Sequence, residues 1–123
     1  MRYLIDTHVL VWWLEDSDRQ PNEFRSLIAD ATNEIFVSKA SAWEIEIKRN
    51  LGKLDVPADF MNSVEVEGFQ WLPIELRHIK TLSELPDIHR DPFDRMLVAQ
   101  AKAEGMPLLS ADSKVNAYAQ GLK

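Results

Sequence analysis

Short apolar runs that break off at polar residues, with helix-spaced stretches between them, constrain this chain more than any other feature. Tyr3-Leu4-Ile5, Glu34-Ile35-Phe36-Val37, Phe69 to Ile74 and Met106 to Leu109 read as strands buried in a sheet. The intervening stretches carry apolar residues at helical spacing. Phe24, Leu27, Ile28 and Ala31 follow Pro21, and Trp43, Ile45, Ile47 and Leu51 follow Ser41. Phe60, Met61 and Val64 follow Pro57, while Leu76, Ile79 and Leu82 run up to Pro86. Pro92 opens a strongly apolar helix that Gly105 stops, and a helix from His8 to Leu14, capped by Thr7, follows the first strand. A last short helix is expected near Val115 to Tyr118. Strand and helix in alternation predict an α/β domain, three layers deep, with a central and mainly parallel sheet. In such sheets a ligand sits beyond the carboxyl ends of the strands.

Length and composition narrow the function classes. At 123 residues the chain is expected to form one domain, 1–123. Its 14 basic and 20 acidic residues give a net charge of −6, so bulk electrostatics do not draw it to a polyanion. The absence of cysteine excludes disulfides, zinc–thiolate sites and thiol nucleophiles. The apolar run Val9 to Leu14 is too short to span a membrane and is not a signal peptide, so no membrane association and a cytoplasmic location are expected.

Four acids fall where strands hand over to helices or in early helical turns: Asp6, Glu44, Asp94 and Asp112, with Asp91 nearby. Taken alone, each has an ordinary use. Asp6, Asp91 and Asp112 suit helix N-caps, Asp94 suits a first helical turn, and Ser41-Ala42-Trp43-Glu44 has the spacing of a capping box. Taken together they change meaning. Strand ends of a parallel sheet share one edge, so the four carboxylates converge there and repel one another unless a cation offsets them. Mg²⁺ and Mn²⁺ favour such oxygen ligands, activate water and stabilise charge on a phosphoryl group. A bound cation also reverses the local sign and lets an acidic protein engage a polyanion.

Arg2 to Leu10, Ser41-Ala42-Trp43-Glu44-Ile45, His89-Arg90-Asp91-Pro92-Phe93-Asp94-Arg95 and Ser110-Ala111-Asp112, in this order, resemble the PIN domain family, in particular its VapC-like ribonuclease toxins. The resemblance runs from Tyr3 to Tyr118 and implies an α/β/α PIN-like fold and an endoribonuclease dependent on Mg²⁺ or Mn²⁺. It assigns catalysis and metal binding to Asp6, Glu44, Asp94 and Asp112. Asp6 and Asp94 are the principal ligands, Glu44 completes the site, and Asp112 serves a second metal or a water. Thr7, Asp91 and Ser110 support them, and Arg90 and Arg95 are placed for substrate phosphate. It further implies an RNA substrate, a small antitoxin partner of a toxin–antitoxin pair, a homodimer, and products with a 5′-phosphate and a 3′-hydroxyl. Relatives often continue into a further edge strand beyond Gly121-Leu122-Lys123.

Other residues carry weaker expectations. His89 is the histidine best placed to support the acids, whereas His8 reads as a surface or packing residue. Trp43 and Trp71 read as core, and one of Trp12 and Trp13 as core with the other at an interface. Lys48 sits four residues after Glu44, the spacing of a helical ion pair, and with Arg49 and Lys53 is alternatively a contact to RNA backbone. Two other readings stay open: a non-catalytic PIN-like interaction module, and an aspartate-based phosphotransfer domain. The second lacks the usual acid two residues after the first aspartate, where His8 stands.

Overall fold

The computed structural model describes residues 1–121. The strands are β1 (Arg2–Ile5), β2 (Glu34–Ser38), β3 (Gln70–Leu72) and β4 (Leu108–Leu109). The helices are α1 (Thr7–Glu15), α2 (Asn22–Ala29), α3 (Lys39–Asn50), α4 (Phe60–Val66), α5 (Leu76–Leu82), α6 (Pro92–Glu104) and α7 (Ser113–Gly121). The sheet has the order β3-β2-β1-β4, and every pairing in it is parallel. The expected α/β/α architecture is therefore observed. Of the C-terminal residues at which a further edge strand was considered, Leu122 and Lys123 lie outside the described residues.

Alternation along the strands builds the layers, because successive side chains point to opposite faces. Ile5, Ile35, Val37 and Leu109 pack on one face with Val9 and Leu10 of α1, Ile28 of α2, Ala42 and Ile45 of α3, and Phe60 and Val64 of α4. Leu4 and Leu72 pack on the other face against Leu97 of α6, and Met106 completes that cluster. A neighbouring cluster joins Val98 and Ala99 of α6 to Val115 and Tyr118 of α7. Leu97 is fully buried, and truncating such a residue to alanine costs about 2–5 kcal/mol.

Helix ends differ from the sequence expectation in an instructive way. Asp6, not Thr7, caps α1, its Oδ1 accepting the Val9 N–H at 2.8 Å. Thr7 is thereby the first helical residue, and its hydroxyl is free for the site. Ser38, not Ser41, caps α3 by accepting the Ala40 N–H at 3.0 Å. The helix starts directly from β2, so Glu44 lies in its second turn and no capping box forms at Ser41.

The same early start turns α3. Ala42 and Ile45 face the sheet, whereas Trp43 is 61% exposed and Ile47 and Leu51 share its outward stripe. Trp43 is thus not a core residue; its indole meets the Phe93 ring edge-on, with centroids 5.2 Å apart. Trp71 is half-buried against the core. Trp12 and Trp13 are both half-buried against the same core. Leu76 and Ile79 of α5 also face outward, because the helix is held chiefly through buried His78.

Strand order reverses at β1, with β2 and β3 to one side and β4 to the other. A crevice opens at such a switch point, beyond the strand carboxyl ends. Asp6 directly follows β1, and Ser110-Ala111-Asp112 directly follows β4. The fold thus delivers both segments to one place.

Candidate active site

Asp6 and Glu44 are among the most buried charged residues, 3% and 4% exposed. Thr7 joins the two segments that carry them. Its hydroxyl has one hydrogen and a carboxylate only accepts, so it donates to Glu44 Oε1 at 2.7 Å. Ser41 Oγ lies 2.9 Å from the Thr7 oxygen and completes the chain. Glu44 Oε2 takes the Lys48 ammonium at 2.6 Å, the i,i+4 ion pair expected from spacing. Glu44 is therefore fixed at both oxygens.

Asp94 stands in the first turn of α6. Pro92 occupies the first helical position, and Asp91 caps the helix by accepting the Asp94 N–H at 2.9 Å. Such a cap contributes about 1 kcal/mol and fixes the Asp94 backbone. Its carboxylate Oδ2 lies 2.8 Å from His89 Nε2. Ligand atoms of His89, Asp94 and Asp112 all fall within 4.8 Å of one another. Asp112 is held by its own turn: its N–H donates to Ser110 Oγ at 3.1 Å and its Oδ1 accepts the Lys114 N–H at 2.8 Å.

The electrostatics bind these pieces into one set. Burial pushes the Asp6 carboxyl above the ordinary aspartate range, and the Asp94 charge pushes the same way. The Ser110 hydroxyl, the Val9 amide and His8 pull against that shift. Burial likewise raises Asp94, with the charges of Asp91 and Glu44 adding to it and His89 opposing. Asp94 thus feels Glu44 and Asp91, and Asp6 in turn feels Asp94. Two carboxyls that hold protons too tightly mark a rim with too little positive charge. Oxygen donors converging in this state suit a hard divalent cation.

The sequence-identified residues separate into three groups. Asp6, Glu44, Asp94 and Asp112 line the rim, and Thr7, Asp91 and Ser110 hold them by the hydrogen bonds above. Arg90 is exposed beside the rim. Arg95 has a different occupation from the phosphate contact expected of it. Its guanidinium points to Tyr118 Oη at 3.0 Å and to the carbonyls of Pro86, His89 and Leu82 at 3.3–3.4 Å. His89, expected to support the acids, touches Asp94 directly. Two residues gained roles that local reading did not assign: Ser41 supports Thr7, and Tyr118 clamps the His89 backbone, accepting its N–H at 2.9 Å and donating to its carbonyl at 3.1 Å. Both depend on contacts across the fold.

Known proteins resemble this chain in a stretch of sequence or in fold. A 36-residue stretch, 29% of this chain, is 53% identical to ribonuclease VapC16 of Mycobacterium tuberculosis and spans 26% of that protein. A chain in the crystal structure of VapBC2 from Rickettsia felis, bound to a DNA fragment from their promoter, superposes with a TM-score of 0.66. The two are 16% identical over 91% of this chain and 88% of that one. A chain of FitAcB from Neisseria gonorrhoeae gives a TM-score of 0.61 at 18% identity, covering 96% of this chain and 93% of that one. The sequence profile of the PIN domain matches residues 3–121, a span that takes in every strand end and every rim carboxylate described above, and the chain belongs to the PIN domain family.

Proposed function

We propose that this protein is a metal-dependent endoribonuclease that hydrolyses RNA phosphodiester bonds, the toxin of a toxin–antitoxin pair. The observation that carries the reading is the convergence of Asp6, Glu44, Asp94 and Asp112 on one rim, where burial and neighbouring carboxylates push Asp6 and Asp94 above the ordinary aspartate range. The local likeness to a ribonuclease and the fold shared with VapBC2 and FitAcB support it.

Asp6, Glu44, Asp94 and Asp112 would hold Mg²⁺ or Mn²⁺, each carboxylate oxygen keeping a second lone pair beyond its protein hydrogen bond. A divalent ion bound there supplies a stronger nucleophile from water and neutralises charge developing on the phosphoryl oxygens. The chain's own residues do the rest. Thr7 and Lys48 hold Glu44 in place, one at each oxygen. Asp91 and His89 orient Asp94 from opposite sides. Ser110 aligns Asp6 and the Asp112 turn together. Arg90, exposed beside the rim, meets the backbone of RNA, while Arg95 acts indirectly by fixing the loop that carries His89. Hydrolysis in line at phosphorus leaves a 5′-phosphate and a 3′-hydroxyl.

The reading includes a small antitoxin as protein partner, a homodimer, and action in the cytoplasm. The outward apolar stripe of Trp43, Ile47 and Leu51 is a surface of the kind that association covers. Among the described residues no helix is long and apolar enough to cross a membrane. The test is incubation of total RNA with the purified protein and Mg²⁺ or Mn²⁺, followed by end-group analysis. Cleavage by the wild type and none by a folded Asp6→Asn variant is expected. Equal cleavage by both would remove the proposal, and a metal-indifferent, inactive wild type would leave only a binding module.

A further inference from the structure

One imidazole stands among the rim carboxylates, and its surroundings set it apart from an ordinary surface histidine. We infer that His89 is itself a metal ligand, its Nε2 joining an oxygen each from Asp94 and Asp112, and that the site therefore prefers Mn²⁺ to Mg²⁺. The inference rests on the reading of the rim as a cation site and specifies which ion it takes.

Geometry carries the first half. The three ligand atoms lie within 4.8 Å of one another, close to the spread of about 4.6 Å that one ion spans with two opposed bonds of about 2.3 Å. His89 lies outside any helix or strand, yet its backbone is held in place. The buried Tyr118, 1% exposed, spends its hydroxyl on both the N–H and the carbonyl of His89. Arg95 ties that hydroxyl and the same carbonyl together from α6. The clamp fixes the backbone from which the half-buried His89 ring reaches Asp94.

The protein contains its own control. His78 also lies with two acids, Glu75 and Glu104, with ligand atoms again within 4.8 Å of one another. There both ring nitrogens are consumed: Nδ1 accepts the Glu75 N–H at 3.0 Å, and Nε2 faces Glu104 at 2.9 Å. Arg77 already neutralises Glu104. No lone pair is left on His78 for a cation. Among the described residues, His89 Nε2 hydrogen-bonds only to the Asp94 carboxylate, itself one of the proposed ligands. A shift of the ring hydrogen to Nδ1 presents the Nε2 lone pair without changing the charge of the site.

Chemistry carries the second half. Mg²⁺ is a hard ion that favours oxygen and water, whereas first-row transition ions accept imidazole readily. One nitrogen among oxygens therefore tilts the site toward Mn²⁺.

The experiment is pulsed electron paramagnetic resonance on Mn²⁺ bound to the metal-free protein, with affinities for Mn²⁺ and Mg²⁺ measured in parallel by calorimetry. The expected result is nitrogen hyperfine coupling to Mn²⁺ in the wild type that disappears in His89→Gln. Mn²⁺ affinity should fall about tenfold in that variant and Mg²⁺ affinity less than about threefold. Mn²⁺ bound without nitrogen coupling in the wild type, or coupling that survives His89→Gln, overturns the histidine ligand while leaving the carboxylate site intact. No Mn²⁺ uptake at all overturns both the ligand and the cation reading beneath it.

Discussion

Two histidine–carboxylate clusters flank α6, one near each end, and they are opposite in electrostatic character. At the C-terminal end, Glu104 is held below the ordinary glutamate range, chiefly by its hydrogen bond to His78 and then by the Arg77 charge. At the N-terminal end, Asp94 is pushed above the ordinary aspartate range by burial and by the charges of Asp91 and Glu44. The residue types are nearly the same, and in each cluster the ligand atoms fall within 4.8 Å of one another. What differs is whether the fold supplies enough cation from its own side chains. The first cluster is complete and pins α5 to α6, while the second is short of positive charge. Proximity of ligand types therefore does not identify a binding site; uncompensated charge does.

That contrast can be broken at either end. Asp94→Asn should reduce RNA cleavage about a hundredfold or more, without lowering the melting temperature at neutral pH. Glu104→Gln should do the reverse, leaving cleavage within about twofold while costing about 1 kcal/mol in chemical denaturation. Loss of cleavage in Glu104→Gln, with the fold retained, would contradict the division of labour. Next in size is Thr7→Val, which removes the hydroxyl that aims Glu44. Initial rates of cleavage should fall about tenfold, with unfolding little changed. Tyr118→Phe frees the His89 backbone and should cost about 1–2 kcal/mol of stability, read by urea titration, with a several-fold loss of cleavage.

The smallest effect is in the pH dependence, and the clusters have opposite signs. Asp6 and Asp94 bind protons more tightly folded than unfolded. Their stabilising contribution is full below the ordinary aspartate value and is lost as pH rises through their raised folded values. Glu104 is lowered, so its contribution is present above the ordinary glutamate value and is lost as pH falls through its lowered one. In chelator, Asp6→Asn should melt above the wild type at neutral pH and match it in acid, asparagine still serving as the cap. Glu104→Gln should melt below the wild type at neutral pH and approach it in acid. Parallel curves for both variants would refute the assigned signs.

Much of this was legible in the chain because strand ends and helix starts are local events. Asp6 after Tyr3-Leu4-Ile5, Asp94 after Pro92 and Asp112 after the last apolar run could be placed at one sheet edge from periodicity and turn residues alone. Cap assignments were less secure, since neighbouring residues compete. Asp6 outranks Thr7 as the cap of α1, and Ser38 captures α3 before Ser41 can. Each displacement changed what the neighbour does: Thr7 and Ser41 became the hydroxyl chain behind Glu44. Trp43 was misplaced because apolar spacing does not say which face of a helix meets the sheet. The Tyr118 clamp and the inward turn of Arg95 join residues distant in sequence, and no local pattern reports such contacts.

Calorimetric titration of metal-free protein with Mn²⁺ separates the two clusters most directly. The wild type and a Glu75→Gln/Glu104→Gln variant should bind alike, and an Asp6→Asn/Asp94→Asn variant, folded and more stable at neutral pH, should bind no Mn²⁺. Undiminished Mn²⁺ binding after loss of Asp6 and Asp94, or its disappearance with Glu75 and Glu104, would contradict a cation site at the β1 and β4 strand ends.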